Sequence, residues 1–500
     1  MGLRSFRLAV IVLSAAAGLG ACSGPVGGNN GGGGGGNAGT TRLVLTMTDA
    51  PPSGVSLLAS PVSIGSLVLD ADILGATRPV PDGTILANVD LVRLQSDSAF
   101  VGSFNVQDLT YKRIIATIGM PNLSYLNQTG AAVTEDALGN KCANNSICVT
   151  STNSGFFGGQ FSFATGGALP ATFAGGTLTA SFDLNQSSFV TSAPGFLTLD
   201  FSQTGALSLI SLPHTGAPSG SLEFVEDFLG TVTAVSGNTV TIQPAGVAIF
   251  GTPVPLVATA NSSTKFDNCA TATIACVHTN QSLSVDALVN GDGTVTLLEV
   301  DDLADTTGDE LEGTVASIDS THQVFVIMVA DKLKATNSTN TTFQTQIDLG
   351  QPVQVAVNSG ATFKVDTKGL PVPTANLGTF TDFSSLVPGQ TVRISVSGMG
   401  TNTSGSPYLQ VDASSVTLRF TRLTGHPNNV ASPTFNFDAT TLPPFFGLVG
   451  SPQVQTFGGV TRFDGVTDLT GVASGDTVSI RALFLPKSTP AFFAAKVRKH

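Results

Sequence analysis

The chain of 500 residues has no Trp, only 3 Tyr, 5 Cys and 5 His, and just 11% charged residues. An average domain carries roughly 25% charge. Each scarcity excludes something. The 22 basic side chains are scattered and outnumbered by 34 acidic ones, for a net charge of −12. Nucleic acid is therefore excluded as a partner, because phosphate backbones are met by clustered Lys and Arg. Little charge beside 41% hydrophobic residues excludes an acidic disordered chain, since there is ample apolar surface to bury. No apolar run reaches the ~18–20 residues of a spanning helix. Sugar platforms usually stack rings on Trp and Tyr. The aromatic most abundant here is Phe, at alternating strand positions where it reads as core, so no carbohydrate site is expected.

Motifs of chemistry are also scarce. There is no GxSxG elbow, no HExxH, no CxxC and no P-loop. The glycine block Gly31–Gly36 has no GK[ST] after it and no strand before it, so it does not cradle phosphate. Nothing in the sequence brings Ser, His and Asp together, and neither a catalytic residue nor a cofactor is assigned. The acids cluster at Asp301, Asp302, Asp305, Asp309, Glu310 and Glu312. As chemistry the cluster offers oxygen ligands to Ca²⁺, with Asn290 to Gly293 adding a turn. Its spacing departs from the D-x-[DN]-x-[DN]-G loop, and it reads as a solvated linker between modules.

What is present begins with an address. Arg4 and Arg7 precede the short apolar segment Leu8 to Gly18, the pattern of a secretory signal. Leu19-Gly20-Ala21-Cys22 then resembles the bacterial lipobox, which implies cleavage before Cys22 and a diacylglyceryl group on its thiol. Ser23 in place of Asp after the Cys favours the outer membrane by resemblance to the sorting pattern of diderm bacteria. Ser23 to Thr41, with Gly31–Gly36, reads as a flexible tether, because glycine pays the largest entropy to order. The membrane is thus an expected partner, reached through lipid.

Four cysteines remain: Cys142, Cys148, Cys269 and Cys276. They form two local pairs around small polar residues. In an oxidising compartment such an even set reads as disulfides. Three connectivities are open, and the local one, Cys142–Cys148 with Cys269–Cys276, is favoured. Free thiols are the alternative. His278, two residues after Cys276, also leaves a metal reading open, although the spacing is not that of a zinc site.

Everything after the tether reads as strand. Leu43, Leu45 and Met47 alternate with Val44, Thr46 and Thr48, and Leu178, Ala180 and Phe182, like Val392, Ile394 and Val396, alternate with polar residues. Period two puts one set on a buried face. Val324 to Val329 is apolar throughout and reads as a strand covered on both sides. No stretch outside the signal shows a 3.6-residue period. A repeat begins near residue 228. Its openings are Leu229-Gly230-Thr231-Val232, Leu311-Glu312-Gly313-Thr314-Val315 and a weaker Leu423-Thr424-Gly425-His426. Each copy then carries Thr264-Lys265-Phe266, Ala361-Thr362-Phe363 or Thr461-Arg462-Phe463. Two copies share a turn and strand, Gly389-Gln390-Thr391-Val392 and Gly475-Asp476-Thr477-Val478. Units of this length suit small closed barrels rather than solenoid turns.

On these residues the repeats resemble the bacterial domain-of-unknown-function family numbered 5666. The segment from Arg42, with Leu45-Thr46-Met47-Thr48-Asp49-Ala50-Pro51, Val62 to Leu69 and Leu109-Thr110-Tyr111-Lys112-Arg113-Ile114, resembles the family numbered 4382. Both resemblances imply exported, β-rich, often lipid-anchored proteins, and neither implies a reaction. The expectation is an all-β chain: signal 1–21, lipidated Cys and tether 22–41, a β-sandwich over 42–225, and three small barrel-like repeats over 226–308, 309–420 and 421–500. The expected role is non-catalytic, structural or binding, at the bacterial cell surface or periplasm, with an envelope protein or surface ligand as partner. The alternatives are an envelope hydrolase with a cleft between modules and a Ca²⁺-dependent adhesion module.

Overall fold

The computed structural model describes residues 40–49, 57–59, 61–71, 77–79, 88–90, 92, 99–107, 111–119, 122–127, 130–134, 141–151, 159–164, 176–184, 189–192, 196–199, 207–212, 223–244, 255–267, 271–289, 294–302, 309–333, 338–367, 379–402, 404–442, 453–485 and 491–499. The expected signal, Cys22 and most of the tether lie outside these residues, as do Cys269 and Asp305.

The chain is all-β. In the N-terminal region, Thr40–Asp49 runs parallel to Gly176–Leu184 and antiparallel to Ala99–Gln107, and Leu207–Leu212 completes a four-stranded sheet. The alternating segments of the sequence pair in register here: Leu43 with Leu178, Leu45 with Ala180, Met47 with Phe182. A second sheet is built on Tyr111–Gly119 and Pro61–Ala71. A third, of Ile147–Ser151, Asn122–Leu126 and Leu57–Ala59, leans on the repeats. Buried Leu58 and Ala59 join a core cluster with Ala316 and Met328. Ser124 Oγ donates to the Gly350 carbonyl at 2.5 Å.

The three repeats share one strand order. In repeat 1 the first strand, Glu223–Ser236, pairs with the second, Thr239–Pro244, and with the fourth, Ser282–Val289. The third strand is split into Leu256–Thr259 and Lys265–Asp267. Both pieces run parallel to the fifth, Val295–Asp302, which closes the sheet. Repeat 2 repeats this with Asp309–Asp319, Val324–Leu333, Pro352–Val365, Thr391–Met399 and Gln410–Gly425. It is a five-stranded Greek-key barrel of the OB type, in which closure removes open edges. In repeat 3 the first strand is the far half of Gln410–Gly425, continued by Pro427–Ala431. Thr434–Phe437, the split pair Gln453–Gln455 and Arg462–Asp464, Val478–Leu485 and Ala491–Lys499 follow. One 16-residue strand is thus the last of repeat 2 and the first of repeat 3, running through position 420.

The recurrent sequence motifs have physical causes. A Cβ on Gly230 would meet Gln243 O at 2.3 Å, and one on Gly313 would meet Met328 O at 2.0 Å, so only glycine lets the first two strands approach this closely. Thr264 staples the break in the third strand by donating to Leu297 O at 2.7 Å, and Thr461 does the same to Ala494 O at 2.7 Å. Ala361 of repeat 2 occupies the matching place; there the third strand runs on as one element, and its pairing with the fifth shifts register between Val357 and Thr362. Before each fourth strand sits a residue with positive φ, Asn280, Gly389 or Gly475. The side chain after it accepts a backbone N–H three residues upstream: Gln281 from His278, Gln390 from Val387, Asp476 from Ala473.

Val324–Leu333 is buried over its first six residues, with Phe325, Ile327 and Val329 in one core and Met328 in another. Val478–Leu485 is likewise buried throughout, because Leu483 and Leu485 pack outward into the core of repeat 2. One correction to the sequence reading is a short helix, Thr341–Gln346, where no helix was expected. Asn340 caps it by accepting from Phe343 N, and Phe343 plugs the repeat 2 core. Six residues are too few to display a helical period.

Candidate functional site

The disulfide Cys142–Cys148 is formed, with Cα atoms 5.7 Å apart. Buried Asn127 organises its loop, donating from Nδ2 to the carbonyls of Ala131, Cys142 and Ala143 at 2.8, 3.1 and 3.0 Å. Cys276 is also disulfide-bonded and buried, and its partner lies outside the described residues.

The acidic segment is not a solvated linker. Asp301 and Asp302 end one strand, Asp309, Glu310 and Glu312 begin the next, and Asp301, Asp309 and Glu312 are buried. Burying a carboxylate requires partners, and they come from distant strands. Arg419 Nε stands 3.3 Å from Glu312 Oε2, while Nη1 of the same guanidinium donates to Asp366. Arg393 Nε lies 3.8 Å from Glu312 and 3.9 Å from Glu310. Ser338 donates to Asp309 at 2.7 Å. A shallow, open recess lies over this network, lined by Glu310, Glu312, Asp331, Lys332 and Arg393 among others. Lys332 is engaged: its Nζ donates to Ile347 O at 2.5 Å and Gln344 O at 3.3 Å, at the end of the short helix. Burial lowers its pKa, against the pull of Asp348 and Asp309. Among the described residues, no group of three or more His, Cys, Asp or Glu side chains is placed to hold a metal ion.

Two histidines have defined roles in turns. His322 Nδ1 sits 2.6 Å from Asp319 Oδ2 at an exposed hairpin tip, and its hydrogen bond lowers the Asp319 pKa. His426 Nδ1 lies 2.8 Å from the Asp476 carbonyl.

The charged groups that the motif search missed lie on the outer faces of repeats 1 and 3. The fourth strands align as Ser284-Val285-Asp286-Ala287-Leu288 and Ser479-Ile480-Arg481-Ala482-Leu483. The fifth align as Leu297-Leu298-Glu299-Val300-Asp301-Asp302 and Ala494-Ala495-Lys496-Val497-Arg498-Lys499. The apolar positions agree and every charge is reversed. The registers agree too. Asp286 opposes Glu299 and Arg481 opposes Lys496, and in both repeats a bulge follows at once. Lys265 flanks Glu299 as Arg462 flanks Lys496, and Arg422 flanks Arg481. Repeat 3 therefore carries four basic residues in a row across four strands. Burial, and then the like charge of Arg481, lower the Arg462 pKa.

Asp286, Glu299, Arg481 and Lys496 are each at most 5% exposed. For Asp286 and Arg481 burial is tolerable because the two side chains meet across the repeats. Arg481 Nη2 stands 3.5 Å from Asp286 Oδ2, and the same guanidinium lies over the Phe420 ring at 4.3 Å. Equivalent positions of two repeats thus meet. The signal was present in the sequence, in the pairing of Val-Asp-Ala-Leu with Ile-Arg-Ala-Leu.

No protein-family model matches the chain, and no curated protein matches it.

Proposed function

We propose that the protein is a non-catalytic lipoprotein of the bacterial envelope, held to the outer membrane through Cys22, that presents a rigid β-scaffold. The observation that carries this reading is how the repeats are joined. Repeats 2 and 3 share a strand and a core, and repeats 1 and 3 meet through the buried pair Asp286–Arg481. Charged groups are scarce in this chain, and these hold modules to one another. A shared strand and a desolvated ion pair leave little freedom between modules, which suits a spacer that displays a binding surface. The signal pattern and lipobox support the location. The recurrent Gly, Thr and turn motifs support kinship of the repeats with the family numbered 5666. The bonded, buried state of Cys276 supports a Cys269–Cys276 disulfide, which non-reducing peptide mapping would find.

The test has two arms. Cys22→Ser should abolish acylation and move the protein out of the detergent phase; unchanged partitioning overturns the anchor. The full mature chain should be inert toward a panel of ester, peptide, glycoside and phosphate substrates. A turnover lost on replacing one Asp, Glu, Ser or His, with the fold intact, overturns the non-catalytic reading.

A further inference from the structure

Three repeats carry an equivalent outer row, and among the described residues the rows of repeats 1 and 3 meet, through Asp286 and Arg481. In repeat 2 the row runs Glu310, Ser395, Ser415, Thr362 across neighbouring strands. Ser395 occupies the place of Asp286 and Arg481: each lies six residues after the positive-φ residue of the turn, Asn280, Gly389 or Gly475, and a bulge follows each one. The chemistry differs. Ser415 Oγ donates to Ser395 Oγ at 2.8 Å, and Ser395 Oγ donates to Glu310 Oε1 at 3.3 Å. The one charge of the row, Glu310, is balanced within its own barrel by Arg393. Ser395, Ser415 and Glu310 are partly exposed, whereas Asp286, Glu299, Arg422, Arg481 and Lys496 of the other two rows are buried; the end position of the row is exposed in all three repeats, at Lys265, Thr362 and Arg462.

We propose that the outer row of repeat 2 is a docking face for the same row of a second copy of this chain. The argument is one of geometry and charge. A contact between equivalent positions, such as Asp286 with Arg481, is what a twofold axis produces, and an interface of that kind requires a self-complementary face. Repeat 1 cannot meet its own copy there, because Asp286 and Glu299 would face like charges. Repeat 3 cannot either, because of Arg481 and Lys496. Repeat 2 can, since hydroxyl groups donate and accept equally well. The charge pattern thus pairs 1 with 3 inside the chain and leaves 2 to pair with 2 between chains.

The test uses the full chain carrying Cys22→Ser, so that lipid does not drive association. Sedimentation should give a concentration-dependent dimer. Ser395→Arg and Ser395→Asp should each weaken self-association by roughly tenfold or more, while an equimolar mixture of the two should recover a dimer. Should Ser395→Arg disturb the fold by circular dichroism, Thr362→Arg, at an exposed position, decides in its place. A wild-type chain that stays monomeric overturns the proposal, as does a dimer that survives both Ser395→Arg and Thr362→Arg.

Discussion

Repeats 1 and 3 have the same strand order, the same split third strand, the same Thr staple and the same bulge, yet the charges on their fourth and fifth strands are opposite. The difference separates two jobs that one sequence performs. Apolar spacing, glycine and turn residues define the barrel, and they agree between copies. The row residues define which barrel meets which, and they disagree in sign. Like rows repel and unlike rows attract, so a chain of similar modules acquires one preferred pairing. Repeat 2 sharpens the contrast, because its buried charges are compensated inside its own barrel.

The largest expected effect follows from that contrast. Arg419→Ala removes the guanidinium shared by buried Glu312 and Asp366. Stranding a buried carboxylate costs about 3–5 kcal/mol. Urea denaturation should show that loss, while cross-linking between repeats 1 and 3 stays as in the wild type.

Next come the opening glycines. Gly313→Ala drives a Cβ onto the Met328 carbonyl, a backbone atom that cannot move aside. It should cost about 1–3 kcal/mol by overpacking. Gly425→Ala should cost less, because its nearest neighbours are side-chain atoms of Phe437 and Leu442 at 2.9 and 3.0 Å. Thermal melts of the two variants check the order, and equal losses would remove the distinction.

Thr264→Val and Thr461→Val should follow. Each leaves a buried carbonyl, Leu297 O or Ala494 O, without its hydroxyl donor, at a cost of about 1–3 kcal/mol. Repeat 2 offers the comparison: its third strand is one continuous strand whose pairing with the fifth shifts register between Val357 and Thr362, so Ala361→Thr should gain less than either Thr→Val change loses.

The smallest effect is one of pH. Asp382 accepts hydrogen bonds from Ser384, and Asp468 from Thr470, and these bonds lower both pKa values. A carboxyl whose folded pKa is depressed stabilises the fold above its unfolded value of about 3.9, and that stabilisation is lost as pH falls through the folded value. Melting temperature should therefore drop on acidification below about pH 4, and Asp382→Asn with Asp468→Asn should shrink the drop. In repeat 1 the matching turn begins at Thr273, which makes no side-chain cap, so repeat 1 should not contribute.

The all-β class was legible in the sequence because alternation survives in strands such as Thr40–Asp49 and Thr391–Met399. The Gly, Thr-x-Phe and turn motifs were legible as repeats, although their causes needed the third dimension. Asp301 to Glu312 was misread because neighbouring acids look solvated, while their partners Arg393 and Arg419 lie 81 or more positions beyond Glu312 in the chain. The charge reversal was visible in principle. It carries no motif, and it appears only when the last two strands of repeats 1 and 3 are set side by side.

The most direct test of the account is a double-mutant cycle on Asp286 and Arg481 in the full chain. Asp286→Arg and Arg481→Asp should each destabilise the protein by about 3–5 kcal/mol, because each leaves like charges facing in a buried place. The double exchange should recover most of that loss, giving a coupling energy well beyond the few tenths expected of independent sites. Each exchanged residue would then also find opposite charges on its own barrel, Glu299 or Lys496. Single losses that simply add in the double variant would contradict the claim that reversed rows hold repeats 1 and 3 together.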